Sequence, residues 1–200
     1  MRPVFLVQTV FCLFLVAGIA LPGWAGQATE QIKETTDKII SVLSDPTLKD
    51  PATSAERKKR VREIADERFD WEEAARRALA RHWVQRTEEE RKEFVSLFSD
   101  LLEATYMDKV DDYSGEQVRY LEETIDGDYG IVNVEILTTT DVEIPVEYRV
   151  RRKGNGWFVY DVTIEGVSLI NNYRTQFNDI IVRSSYQNLV KRLKAKLAQK

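Results

Sequence analysis

The chain has 200 residues, with 29 lysines and arginines against 33 aspartates and glutamates and a formal net charge of −4. An acidic balance speaks against a nucleic-acid partner. One histidine, His82, and one cysteine, Cys12, leave no cluster of ligands for a zinc site and little for nucleophilic catalysis.

The first segment reads as an address. Arg2 is the only charge before Glu30, and Val4 to Leu21 is apolar apart from Gln8 and Thr9. Gly23 and Ala25 are small residues at the −3 and −1 positions of a signal-peptidase site, so cleavage is expected after Ala25, with Ala28 as the alternative. The competing reading is an uncleaved anchor, because such a run is at the lower limit of a membrane span. Cys12 lies inside the apolar run and does not resemble a lipoprotein site. Residues 26–200 then form one domain without cysteine, as suits an oxidising compartment.

Helices come first. Ile32, Ile39, Ile40 and Leu43 make a helical stripe over about 28–44, closed by Asp45-Pro46. Thr53 with Glu56 reads as a capping box, ahead of Val61, Ile64, Ala65 and Phe69 on one face. Asp70 with Glu73 opens a third helix whose inward residues are Ala74, Ala75, Ala78, Leu79 and His82. Thr87 with Glu90 opens a fourth, predicted to run to about Val110, with Phe94, Leu97, Phe98, Leu101, Leu102, Thr105 and Tyr106 as its stripe.

The period then changes from 3.6 to 2. Strands are predicted over 117–125, 129–139, 143–152 and 157–164, with turn signals at Asp126-Gly127-Asp128 and Gly154-Asn155-Gly156. On the third strand Ile144, Val146, Tyr148 and Val150 share a face, and Glu143, Glu147, Arg149 and Arg151 the other; Pro145 sits near its start. Helix returns after Ser168, with Leu169, Tyr173, Phe177, Ile180 and Ile181 inward. A last helix follows Ser184-Ser185, with Leu189, Val190, Leu193 and Leu197 inward. Helices, a four-stranded antiparallel curved sheet, then helices imply an α+β fold around a cone-shaped apolar interior.

No nucleophile elbow, phosphate loop or metalloprotease motif is present, so no catalytic residue is expected. Glu88-Glu89-Glu90 complements a helix dipole. His82 reads as a cap or packed side chain. Asp161 is a candidate buried acid, expected to pair with an arginine or cap a neighbouring segment; a general base on a curved sheet is the rarer alternative. Arg174 is a candidate for a phosphate contact or for structural pairing. Six bases after Ile180 (Arg183, Lys191, Arg192, Lys194, Lys196 and Lys200) have no acid among them. They suit a solvated helix end, or steering toward anionic headgroups or an acidic partner.

Two blocks resemble a known family. Phe69 to Trp83 (FDWEEAARRALARHW), with Thr87 to Phe94 (TEEERKEF) and Leu97 to Tyr106 (LFSDLLEATY), is similar to the MlaC family, also called the toluene-tolerance or ABC-transporter auxiliary family. Trp157 to Phe177 (WFVYDVTIEGVSLINNYRTQF) is the sharper match, through Trp157, Tyr160, Asp161, Glu165, Gly166, Val167, Ser168, Tyr173, Arg174, Gln176 and Phe177. The resemblance covers essentially the whole chain after the leader; the loop Leu48 to Pro51 and the basic tail are less distinctive. It implies a periplasmic phospholipid shuttle between an outer-membrane lipoprotein complex and an inner-membrane ABC transporter with an MCE-type lipid-binding subunit, a system that maintains outer-membrane lipid asymmetry. It implies no enzyme activity, metal or cofactor, with phospholipid as cargo in a deep apolar cavity.

Such a cavity is expected between the long helix (Phe94, Phe98, Leu101, Leu102, Tyr106) and the inner face of the sheet (Val118, Tyr120, Ile144, Val146, Tyr148, Val159), closed on one side by Val167, Leu169, Tyr173 and Phe177. The same side chains would equally fill a solid core. A small-molecule enzyme on a similar fold and a ligand-free adaptor remain the alternative readings.

Overall fold

The computed structural model describes residues 26–199, so the predicted leader lies outside the described residues. Ala28, the alternative cleavage position, is fully buried in the first helix. Among the described residues six α-helices and one antiparallel sheet follow one another as helices, strands, helices.

Helix α1 (Gln27–Ser44) places Ala28, Ile32 and Thr35 inward. Two 3-10 turns, each started by an aspartate and a proline, lead into α2 (Ser54–Asp66). The expected capping box at Thr53 does not form. Thr53 is already in a 3-10 turn, at φ −100° and ψ 3°, and its hydroxyl donates to the Asp50 carbonyl at 2.8 Å. An N-cap needs an extended residue whose side chain is free to accept.

Helix α3 (Trp71–Leu79) starts on Asp70, which accepts from the Glu73 N–H. It stops sooner than the apolar stripe suggests. Ala80 turns to φ 47°, and His82 lies on the following 3-10 turn, Ala80–Gln85. Helix α4 (Glu88–Tyr106) carries the complete capping box of Thr87 and Glu90. It also ends early, because Met107–Asp112 is 3-10.

The sheet is a meander in the order β1-β2-β3-β4-β5: Gln117–Asp126, Tyr129–Leu137, Glu143–Lys153, Gly156–Ile164 and the two-residue Val167–Ser168. The fifth strand was not expected; two residues are too few to show a period. Gly127, at φ 59°, allows the tight β1–β2 turn. Cross-strand rungs align Val118–Ile136–Ile144, Tyr120–Val134–Val146 and Val132–Tyr148–Val162 on one face. Arg149 pairs with Asp161 and Val150 with Val159, which leaves Tyr160 as an extra residue. That bulge separates Val159, opposite inner-face Val150, from Asp161, opposite outer-face Arg149. Strict alternation would place them on one side.

Helix α5 (Leu169–Arg183) is capped by Ser168 and α6 (Tyr186–Leu197) by Ser185, each hydroxyl accepting a backbone N–H. Two apolar clusters result. Helices α3 to α6 enclose one, in which Phe94, Phe98, Tyr173 and Phe177 interlock at ring-centroid distances of 5.4–5.8 Å. The other joins Ala28 and Ile32 of α1 to Val132, Val134, Val146, Val150, Trp157 and Val159 of the sheet.

Candidate functional site

Between the two clusters runs a seam. Helix α1 lies against the sheet, but α2 and α4 make at most slight backbone approaches to any strand. At this seam the structure has an apolar groove of about 230 Å³. Ala65 of α2, the Phe69–Trp71 junction, Leu102 and Tyr106 of α4, Met107, Val162 and Ile164 of β4, and Leu169 of α5 line it. Its accessible wall is apolar throughout. Phe69 and Trp71 stack at 4.7 Å and form one continuous aromatic slab.

Charge is confined to the rim and is paired there. Arg62 gives its Nε–H to the Asp66 carboxylate at 2.9 Å and an Nη1–H to Glu103. Its guanidinium also lies 5.7 Å from the centroid of the Trp71 ring. The Trp71 indole N–H donates to Asp66 at 2.7 Å. Arg62 and Glu103 therefore present methylene stems to the groove while their charged ends satisfy one another. The mouth is polar and the interior is not.

The inner face of the sheet extends the apolar surface. Val118, Tyr120, Ile136, Ile144, Tyr148 and Val162 are only partly buried, although they pack against the sheet cluster. Tyr148 keeps accessible surface, yet burial pushes its hydroxyl up to about 12. Burial raises Tyr120 in the same way. An apolar face that is shielded from solvent but not filled by the opposing helices is what an apolar ligand needs.

The expected cavity residues divide four ways. Leu102, Tyr106 and Leu169 line the groove. Val118, Tyr120, Ile144, Val146, Tyr148 and Val159 all lie on the inner face, Val159 by way of the bulge. Phe94, Phe98, Leu101, Tyr173 and Phe177 pack among the helices and do not line the groove. Val167 is on the surface, 63% exposed. Sequence reasoning passed over Trp71, Met107, Val162 and Ile164. Trp71 is the first residue of α3, Met107 opens a 3-10 turn and Val162 and Ile164 close β4, so no single period marked those residues as facing one space.

Asp161 caps α5: its carboxylate accepts from the Ser168 hydroxyl at 2.7 Å and from the Ile170 N–H at 3.0 Å. Arg174 is exposed and donates to the Asn171 side-chain carbonyl. His82 Nε2 lies 3.1 Å from Asn178 Oδ1. Among the bases of the tail, Lys194 meets Glu93 at 2.6 Å across α4 and α6. Among the described residues no group of three His, Cys, Asp or Glu is placed to hold a metal ion, and no helix is long and apolar enough to cross a membrane.

The model of the family described as MlaC protein matches residues 33–195. The intermembrane phospholipid transport system binding protein MlaC of Haemophilus influenzae is 26% identical over 133 residues, which span 64% of this chain and 62% of that protein, less than two thirds of its length. The phospholipid-binding protein of Ralstonia solanacearum, solved in complex with a phospholipid, superposes with a TM-score of 0.74 at 26% identity, over 87% of this chain and 98% of that one.

Proposed function

The chain belongs to the MlaC family, and from that membership we propose that it is a phospholipid carrier whose acyl tails occupy the groove and the adjoining inner face of the sheet. The observation that carries this reading is the wall between α2, α4 and β4: apolar throughout, with its rim charges already paired. The likeness to a protein solved with a phospholipid supports the same cargo.

Magnitudes suit a carrier. Each buried CH₂ gains ~0.8 kcal/mol over water. A membrane already supplies that burial, so a carrier has only to match it. With a methylene taken at the ~30 Å³ that a water occupies in the liquid, a groove of about 230 Å³ holds roughly seven. That is part of one tail. The remainder of a diacyl lipid must lie along the inner face, so loading separates α2 and α4 further from the sheet. Strands of nine to eleven residues, such as β2, β4 and β3, span roughly 30–36 Å, enough for an acyl chain laid lengthwise. A headgroup at the mouth would stay in water.

In this reading the chain is exported, loses its leader after Ala25 and works in the periplasm. It exchanges glycerophospholipid between an outer-membrane lipoprotein complex and an inner-membrane ABC transporter with an MCE-type subunit, and has no enzymatic step. The test is to purify the exported protein from bacterial cells, extract it, and weigh and identify the lipid by mass spectrometry. About one phospholipid per protein, exchangeable with labelled vesicles, is the expected result. A protein that emerges without lipid and takes none up refutes the carrier.

A further inference from the structure

The face of the β4–α5 junction turned away from the groove is charged. There a cleft of about 510 Å³ is lined by Arg76, Arg77, Arg149, Arg174, Tyr160 and Asn171, among others. It continues past Ala80 and Arg174 into a hollow of about 300 Å³ beside Arg81 and His82. Five arginines therefore border one concave surface on a chain whose net charge is −4.

The acids nearby do not balance them. Asp161 has both oxygens committed to Ser168 and the Ile170 N–H. Glu73, 2% exposed, is bound by Arg76, Arg77 and Arg151. Among the described residues Arg81 and Arg174 hydrogen-bond only the neutral amides of Asn178 and Asn171. Arg149 reaches Glu147 at no better than 3.8 Å, and its Nε is buried without a hydrogen-bond partner. A buried donor left unpaired is costly, and an incoming acceptor removes that cost. Ala80, which borders both halves, holds φ 47° and ψ −122° without being glycine. Strain of this kind persists where the surroundings impose it and gathers at functional sites.

We infer that this arginine-lined cleft is a docking site for the acidic side chains of a partner protein. Guanidinium forks suit carboxylates, to which they donate in pairs. The cleft is concave and bordered by Tyr160, so projecting side chains enter it where the flat plane of bilayer headgroups does not. The cargo's own phosphate is excluded by position. Val162, Ile164 and Leu169 face the groove, whereas Asp161, Ser168 and Ile170 face the cleft, so the β4–α5 wall stands between them.

The test measures anisotropy of a fluorescein-labelled octaglutamate peptide against the whole exported protein at physiological salt. The pair Arg81→Glu and Arg174→Glu, both on exposed residues, is compared with Lys191→Glu and Lys196→Glu on exposed positions of α6. The cleft pair is expected to weaken peptide binding by about tenfold or more, the loss of one charge-assisted bond, and the α6 pair by less than about twofold. Lipid content after purification stays unchanged in both. Should charge reversal disturb folding, the Gln pair at the same two positions repeats the test. Equal weakening by the two pairs, or no binding by the unaltered protein, overturns the inference. So does loss of lipid content in the cleft pair, which would make the cleft part of the cargo site. Loss of binding to phosphatidylglycerol vesicles in the cleft pair without loss of peptide binding overturns it in favour of a membrane surface.

Discussion

Substituting Ala65 by Leu tests the groove directly. Ala65 is on α2, half-buried, and its side chain borders the groove rather than either cluster. Leucine adds three carbons. At ~30 Å³ each they occupy about 90 Å³ of a groove of about 230 Å³. They displace roughly three methylenes of an acyl tail, at ~0.8 kcal/mol apiece, so retention falls by about 2.4 kcal/mol. That is roughly a fifty-fold shift in partition between protein and vesicle. The assay equilibrates the purified variant with vesicles of fluorescent phospholipid and measures the bound fraction. Ala195→Leu, the same addition at an exposed position of α6, is the control and leaves partition unchanged. Thermal stability of Ala65→Leu stays near that of the parent, since the new side chain enters open space and not a filled core. A folded Ala65→Leu protein that binds lipid as well as the parent would refute the placement of the tails.

Other consequences concern the frame around the groove. Asp161→Asn removes a charged acceptor from the Ser168 hydroxyl and the Ile170 N–H; urea titration is expected to show a loss of about 2 kcal/mol with lipid content unaffected, whereas loss of lipid binding at full stability would count against a purely capping role. Ala80→Gly relieves the residue at φ 47°; strain of about 1–3 kcal/mol less the entropy cost of glycine leaves a gain near 1 kcal/mol, and calorimetry should show Tm rising by about 2–4 °C. Asp111 is held at about 2, below its ordinary 3.8, by hydrogen bonds from Lys58 and Arg57. Its folded-state value is the lower one, so its contribution is present above pH 4 and is lost as pH falls from about 4 to 2. Asp111→Asn is expected to flatten the urea midpoint over that window, and an unchanged pH profile would remove Asp111 from the account.

The order of elements was legible because each has a local cause. Thr87 and Glu90 satisfy one another's backbone at the start of α4, and Asp126-Gly127-Asp128 closes the first hairpin as such a triplet does. Local reading failed where a competing contact took over. Thr53 lost its capping role to an Asp-Pro turn just before it. Tyr160 disrupted the alternation of β4 because Asp161 is drawn outward to the start of α5. A two-residue period can report a face, but not the one extra residue that reverses it.

The site was legible in its chemistry and not in its geometry. Phe94, Phe98 and Phe177 have the same hydrophobic character as Phe69, Trp71 and Leu102, and a composition rule treats the two sets alike. What separates them is distance. The first three meet across α4 and α5 at ring separations of 5.6–5.8 Å and leave no room. The others line the groove: Phe69 is bridged to Val159 of β4 and stacks on Trp71, and Leu102, at the edge of the helical cluster, meets the open space before Val162 and Ile164. Pro51–Thr53 leads into α2 and Met107–Asp112 leads out of α4, the two helices that face β4 across the groove. Shortening either connection should draw a helix onto the inner face and convert the groove into core, raising stability through new burial while removing the space for a lipid tail.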